Sequence, residues 1–385
     1  MNIALNLLYL LPGAVGGTET YAHGLLTGLA SVAPEHHYTC YVNQRAAAWP
    51  LPATGRFRRV VCPVDGSRRW ARYAYEQARL PLVLAASRAD LVHSLGYVSP
   101  IAARCPSVVT VHDLNYRSPY HSMSLERRLA LRAFVELSVR RADAVITDSE
   151  HTRHEICTFL RADPRRVHVA HLAPRVWDTE EPNAAEREDT RVRLGLDKPY
   201  TIAFASSSAN KNIPRLVRAF ALARRQGVTM PLALIGHSAG LASDPAVQSA
   251  QAAGWLRATG YLDDRTLRCV LSDAAFLVFP SLYEGFGLPV LEAMSLGVPV
   301  VCSRIGPLPE VAGEAALYID PTSVDDIARG IAKVAADPHL RAALSAAGLQ
   351  RASVFTWEAT ARMTLAIYER VANGAGSLCS TGGPS

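Results

Sequence analysis

Two carboxylates and a pair of glycines mark the run SLYEGFGLPVLEAMSLGVPV, residues 281–300. Glu284 and Glu292 stand eight positions apart, with Gly285, Phe286, Gly287, Leu288 and Pro289 between them. An apolar stretch at 276–279 feeds the segment and Pro280 closes it, so the pattern predicts strand, loop and helix. Pro289 suits the first helical turn and Gly297 stops the helix near Leu296. Gly285 and Gly287 let backbone N–H groups approach a ligand. A helix start so exposed carries orphan donors and the positive end of the dipole, which is an anion site. Glu284 falls on the loop and Glu292 on the second turn, so both can face one cleft at different depths. Carboxylates repel a phosphate, so their chemistry is to accept hydrogen bonds from sugar-like hydroxyls.

A second candidate is His112 in VTVHDLNY, which follows a strand-like run and so sits at a carboxyl end. The competing reading is a satisfied core histidine. Asp113 beside it can orient the ring or touch a substrate. Metal chemistry has no comparable signal. Asp263 and Asp264 are adjacent rather than alternate and read as a turn. His23, His37, His93, His121, His154, His168 and His171 have no ligand spacing and read as structural or surface groups.

These groups need a scaffold, and the chain supplies an alternating one. Strand-like runs occur at 2–8, 37–42, 59–62, 91–93, 107–111, 144–147 and 166–169. Helical segments rich in Ala, Leu and Arg, such as 20–31 and 124–141, fall between them. The charged stretch 175–199 has no strand pattern and reads as linker plus a polar helix. The alternation restarts at 200–205, 231–235, 258–260, 276–279, 299–302 and 316–319. Such order predicts an α/β protein with two parallel sheets covered by helices, ligands lying beyond the strands' carboxyl ends. An amphipathic segment from Thr356 to Ala372 carries Trp357, Met363, Leu365, Ile367 and Tyr368 at helical intervals and closes the fold. The expected layout is a first domain over 1–177 rejoined by a helix at 357–373, a linker at 178–198, a second domain over 199–356, and a disordered tail at 374–385.

Composition agrees with two folded domains. The 385 residues are 49% hydrophobic and 19% charged, enough apolar side chain to outweigh chain entropy and exclude general disorder. No run of about 18 uncharged apolar residues spans a bilayer. MNIALNLLYLLPGAVGGTE has no Lys or Arg ahead of its apolar run, which argues against a secretory signal and for a first strand. Seven widely spaced cysteines without a CxxC point to plain thiols in a reducing cytoplasm. The formal charge is +6, and nine arginines (45, 56, 58, 59, 68, 69, 72, 79, 88) crowd one stretch against Asp65 and Glu76. Trp49, Phe57, Trp70, Tyr73 and Tyr75 lie among them. That stretch is either a solvated face with core aromatics or a contact for an anionic membrane or polyanionic acceptor. No nucleic-acid motif accompanies it.

The Glu284-to-Glu292 spacing and the whole run EGFGLPVLEAMSLGVPVV resemble the EX7E signature of the family 4 retaining glycosyltransferases of the GT-B fold. Other pieces resemble the family in order: the first strand and Gly-Gly loop at 2–19, VTVHD at 109–113, AVITDSEH at 144–151, NKNIPRLVRAF at 210–220, ATGYLDD at 258–264, YIDP at 318–321 and the Trp357 tail. The resemblance implies two Rossmann-like domains facing across a cleft, with the last helix crossing back to the first. It implies that Glu292 binds the nucleotide ribose, and that Glu284 with the N–H groups of Phe286, Gly287 and Leu288 holds donor sugar and phosphate. Lys211, with Asn210 and Ser207 nearby, would neutralise the diphosphate. Gly17 would meet the distal phosphate, His112 would sit near the reacting carbon, and Gly236, Tyr261 and Leu262 would border the base. A lysine, a helix dipole and aimed N–H groups stabilise a departing diphosphate without a metal.

One departure stands out. The family's arginine near the phosphate lysine would fall at Asn210 or Ala205, and neither is basic. Ser206, Ser207 and Ser208 could supply hydroxyl donors in its place, and loss of one anion-hole donor costs ~3 kcal/mol in comparable sites. The resemblance therefore implies a metal-independent hexosyl transfer from a nucleotide sugar, with GDP-mannose first and dTDP- or UDP-sugars next. The acceptor would be a glycan, a lipid-linked oligosaccharide or a small aglycone. YEQARLP (75–81) and the His112–Asp113 pair resemble members that transfer mannose or rhamnose. The competing readings are a sugar-nucleotide epimerase and a non-catalytic nucleotide-sugar-binding subunit.

Overall fold

The computed structural model describes residues 1–379 except 121–122, 178–179, 207, 238 and 242. Its strands are β1 Asn2–Leu7, β2 His37–Val42, β3 Phe57–Val61, β4 Leu91–Ser94, β5 Ser107–Thr110, β6 Ala144–Thr147, β7 Val167–Val169, β8 Thr201–Ala205, β9 Leu232–Gly236, β10 Leu256–Gly260, β11 Phe276–Phe279, β12 Val300–Ser303 and β13 Ala316–Ile319. They form two sheets, ordered β3-β2-β1-β4-β5-β6-β7 and β10-β9-β8-β11-β12-β13. Every described pairing is parallel. Each sheet reverses its order once, between β1 and β4 and between β8 and β11. This is the doubly wound α/β arrangement expected from the alternation of strands and helices.

Central strands such as β5 and β12 are buried along their whole length because helices cover both faces, which is why their sequences run Val-Val and Val-Val-Cys rather than alternating. The edge strands behave differently. β3 and β10 begin two residues earlier than the sequence indicates, at Phe57 and Leu256. They pair on one side only, so Arg58 and Arg257 can stand in solvent there and blur the hydrophobic signal.

The chain divides into two compact units. One takes Met1–Arg117, Met123–Val176 and the chain from Phe355 onward; the other takes Trp177–Val354 with 118–120. The charged stretch expected as a linker carries its helix at Ala184–Leu194 and belongs to the second unit. Asn183 and Glu186 close a capping box at its start, and Gly195 ends it in the left-handed conformation. Arg187, Arg191 and Lys198 all converge on the buried carboxylate of Asp273, Lys198 at 2.7 Å.

In the first unit the closing helix, Trp357–Cys379, packs on the helix Gly17–Val32. Two glycines make room for it: a methyl group at Gly24 would overlap the Trp357 indole, and one at Gly28 would overlap the Trp357 backbone. Trp357 Nε1 donates to the Pro174 carbonyl (2.8 Å) and Thr360 Oγ1 to that of His171 (2.6 Å). The helix extends past the limit expected at 373, to Cys379. No proline stands in that stretch to stop it, and each added residue gains a backbone hydrogen bond. Residues 380–385 of the expected tail lie outside the described ones.

Most aromatics of the arginine-rich stretch pack into the first unit. Trp49 is buried and donates to Glu19 (3.1 Å), Phe57 stacks on Tyr38, and Tyr73 packs against Phe134. Trp70 alone of its five aromatics is exposed, at 55%. Among the described residues no helix is long and apolar enough to cross a membrane. Cys40, Cys62, Cys269 and Cys302 are buried free thiols, and Cys105 and Cys157 are half-buried free thiols.

Candidate active site

In the second unit the two loops at the β8/β11 reversal are stitched together. Leu282 N donates to the Asn210 carbonyl (2.7 Å), and Asn210 Nδ2 donates to the Tyr283 carbonyl (3.0 Å). Asn212, held in the left-handed region at φ 59°, donates to the carbonyls of Pro280 (3.1 Å) and Pro321 (2.8 Å). Asn210 is buried, so the position where the family's arginine could stand is used here to tie two loops. The other such position, Ala205, is buried at the end of β8. Arg215, one turn into the next helix, bonds Asn212 Oδ1 (2.6 Å) and the Pro321 carbonyl (3.3 Å).

This stitching sets Lys211 Nζ 2.7 Å from Glu284 Oε1 and 4.6 Å from the centre of the Phe279 ring. Both side chains are largely enclosed, so the ion pair is less screened than one at the surface. Phe286 and Leu288 lead into the helix Leu288–Ser295, whose cap is Gly287. Gly287 has φ 109°, a conformation that L side chains rarely adopt, and a methyl there would stand 2.6 Å from Leu308 Cδ2. Glu292, on the same helix, is only 4% exposed. The loop thus brings Lys211, Asn210, Glu284, Phe286, Gly287, Leu288 and Glu292 to one end of the second sheet. Ser207 lies outside the described residues.

The strands beside this loop supply the remaining expected positions. Gly236 ends β9 at φ 109°, and a methyl on it would lie 2.5 Å from the Ala205 carbonyl. Tyr261 is exposed just after β10, with Leu262 half-buried beside it. The sequence reading missed His237, whose ring lies 6.1 Å from that of Tyr261 at an interplanar angle of 20°. Its position directly after β9 was the available signal. Asp263 caps the helix Asp264–Ser272 by accepting from Thr266 N (3.0 Å) and Thr266 Oγ1 (2.7 Å), so the Asp pair expected as a turn starts a helix instead. Among the described residues no group of three or more His, Cys, Asp or Glu is placed to hold a metal.

The first unit contributes His112 and Gly17. Gly17 opens the helix Gly17–Val32. His112 follows β5, and its Nδ1 lies 2.8 Å from Asp148 Oδ2 at the end of the neighbouring β6. Its Nε2 lies 3.0 Å from the Leu95 carbonyl past β4. Each ring nitrogen therefore faces an acceptor, and only a ring carrying both protons would donate to both. Burial alone would lower the pKa of His112. The Asp148 carboxylate and the two hydrogen bonds outweigh it and raise the imidazole above its ordinary range. Burial also pushes the Asp148 carboxyl up, against the pull of the imidazole.

Tyr21 and Tyr97 meet the His112 ring edge-on at 4.8 and 5.4 Å. Tyr97 is held at φ 63° and donates to Asp113 Oδ1 (2.9 Å). Asp148 was not singled out from the sequence, though it lies inside the flagged run AVITDSEH. His93, read as structural, is fully buried, with Nδ1 2.6 Å from Tyr368 Oη and Nε2 2.7 Å from Thr110 Oγ1.

Comparison with known proteins follows the same division. Residues 15–173 match the family described as Glycosyltransferase Family 4, and residues 186–351 match Glycosyl transferases group 1. The O-antigen chain mannosyltransferase B of Escherichia coli is 33% identical over 270 residues, 68% of this chain and 70% of that protein. The alpha-maltose-1-phosphate synthase of Mycolicibacterium smegmatis is 29% identical over 323 residues, 76% of this chain and 82% of that protein. Among solved structures, the sucrose-phosphate synthase of Thermosynechococcus elongatus superposes with a TM-score of 0.74 at 20% identity, covering 96% of this chain and 99% of that one. The parallel sheets, the loop chemistry at β8/β11 and these matches together establish that the chain belongs to the family 4 glycosyltransferases and has the GT-B type of fold.

Proposed function

We propose that this glycosyltransferase moves a mannosyl group from GDP-mannose to a hydroxyl of a glycan or lipid-linked acceptor, with retention and without a metal. The observation that carries the reading is the β8/β11 loop pair, where Lys211 and the first turn of the helix at Leu288 stand beside two enclosed carboxylates. Cation and helix dipole suit a diphosphate; Glu284 and Glu292 suit hydroxyls of sugar and ribose. The choice of mannose is supported by the relative named an O-antigen chain mannosyltransferase. Family membership does not favour the epimerase reading.

In the reaction the bond from the sugar's anomeric carbon to the diphosphate oxygen breaks. The acceptor oxygen bonds that carbon on the same face, and its proton passes to the departing phosphate. Charge grows on the leaving diphosphate, which Lys211 and the backbone N–H groups at Phe286, Gly287 and Leu288 would stabilise. With both ring nitrogens already facing acceptors, His112 does not suit the part of a mobile base.

The test is a thermal-shift panel of GDP, UDP, dTDP and ADP, followed by turnover of the matching mannosyl, glucosyl or rhamnosyl donor. A nucleotide at about 100 times its Kd adds ~2.7 kcal/mol of stability. GDP should give the largest shift, and Glu292→Gln should abolish it. A larger shift with UDP, ADP or dTDP overturns the donor assignment. A full GDP shift in the variant overturns the ribose role.

A further inference from the structure

The helix Leu125–Arg141 of the first unit is apolar on two sides. Val135, Ser138 and Val139 are buried on its inner side, with Leu131 and Phe134 half-buried beside them. Leu125, Leu129 and Leu137 follow one another at steps of four and eight residues, so they share the outer side. They are 64%, 54% and 42% exposed. A helix that only covers a sheet carries polar groups on its outer side, so the core does not account for this second stripe.

A neighbouring helix widens the stripe. Arg69–Ala78 packs beside it through Tyr73, 4.6 Å from the Phe134 ring, and the exposed Trp70 lies 6.0 Å from Tyr73 at this seam. The inner side of that helix belongs to the core: Arg72 lies 3.8 Å from the buried Glu76, which accepts from Asn6 (3.4 Å) at the β1/β4 reversal. Arginines surround the exposed apolar groups. The longer helix carries Arg127, Arg128, Arg132, Arg140 and Arg141 against Glu126 and Glu136. Among the described residues only Arg132 of these five has an ion pair, with Glu136 at 2.9 Å. Burial, and then repulsion from Arg69 and Arg72, pulls the pKa of Arg127 below its ordinary range. Unpaired cations around leucines and an indole match a partner that is anionic at its surface and apolar beneath.

We propose that this two-helix face docks the protein on an anionic lipid bilayer, with Trp70, Leu125, Leu129 and Leu137 entering the boundary between headgroups and acyl chains and Arg69, Arg127, Arg128 and Arg140 meeting lipid phosphates. A second copy of the chain suits the face less well, because it would set the same arginines against one another. The face is not the one that the sequence indicates. Of the aromatics in the arginine-rich stretch 45–88 only Trp70 reaches it, and the leucines come from a helix outside that stretch. The inference does not depend on which donor the enzyme uses.

The test is co-sedimentation of the full chain with vesicles of phosphatidylcholine alone and of phosphatidylcholine mixed with phosphatidylglycerol. The protein should bind the anionic vesicles and leave the neutral ones, and raising the salt from about 50 to about 500 mM should weaken binding by about tenfold or more. Arg127→Gln combined with Arg128→Gln should weaken it by about 25-fold, since each arginine at an anionic surface contributes about fivefold. Leu125→Ser combined with Leu129→Ser should weaken it by about tenfold or more. Both pairs are exposed, so the thermal midpoints should stay native; should the leucine pair misfold, Trp70→Ser takes its place with the same expected direction. Equal binding to the two kinds of vesicle, binding to neither, or full binding by a folded variant of either kind overturns the proposal. So does a concentration-dependent dimer of the native protein that the leucine pair dissolves, which would give the face to a second copy.

Discussion

His93 offers a quantitative check on the first unit. The ring is fully buried between Tyr368 and Thr110, and burial, aided by repulsion from His112, pushes its pKa down to about 3. In the unfolded chain the same group titrates near ~6.5. The native state then binds fewer protons than the unfolded state between those values, so stability falls as the pH drops through ~6.5 and continues to fall toward 3. The full span corresponds to about 5 kcal/mol, and the part lost between pH 7.5 and 5.0 to about 2 kcal/mol. His112 acts with the opposite sign. Its raised pKa contributes stability that is fully present below the unfolded value and lost as the pH rises through the folded one. The two are separated by a double difference: urea unfolding at pH 7.5 and 5.0, in the native protein and in His93→Asn, followed through exchange protection of β4 and β5 amides. The native protein should lose about 2 kcal/mol more than the variant over that interval. A lower absolute stability of the variant does not bear on the result. Equal pH slopes in the two proteins would refute the argument that His93 is held neutral.

Two further predictions concern glycines. Gly24→Ala gains about 1 kcal/mol of helix propensity but drives a methyl into the buried Trp357 indole, and overpacking costs of about 1–3 kcal/mol win. Gly28→Ala meets the Trp357 backbone, which cannot rotate away, so its thermal midpoint should fall further than that of Gly24→Ala; the reverse order would contradict the packing described. Gly287→Ala adds a strained φ, about 1–2 kcal/mol, to a collision with the buried Leu308. Its midpoint should drop by about 5 °C or more and its nucleotide shift should vanish. A native midpoint and shift would show that the helix start does not need this glycine.

The sequence alone determined the fold class and most strand positions, because a strand buried on both faces must be an unbroken apolar run and its helices must show a stripe. It also marked the Glu284–Glu292 loop, since glycines, a proline and two acids at fixed spacing are local features. The edge strands β3 and β10 were blurred because half of each faces water. What only the tertiary structure decided is which distant side chains meet. Asp148, directly after β6, reaches His112, just past β5, because parallel strands align their carboxyl ends, a register no single segment encodes. Likewise Asn210 became a loop tie, and Glu76 was carried by its helix to the β1/β4 reversal. Burial and pairing depend on what the rest of the chain brings alongside, and so they appear only once the sheets have closed.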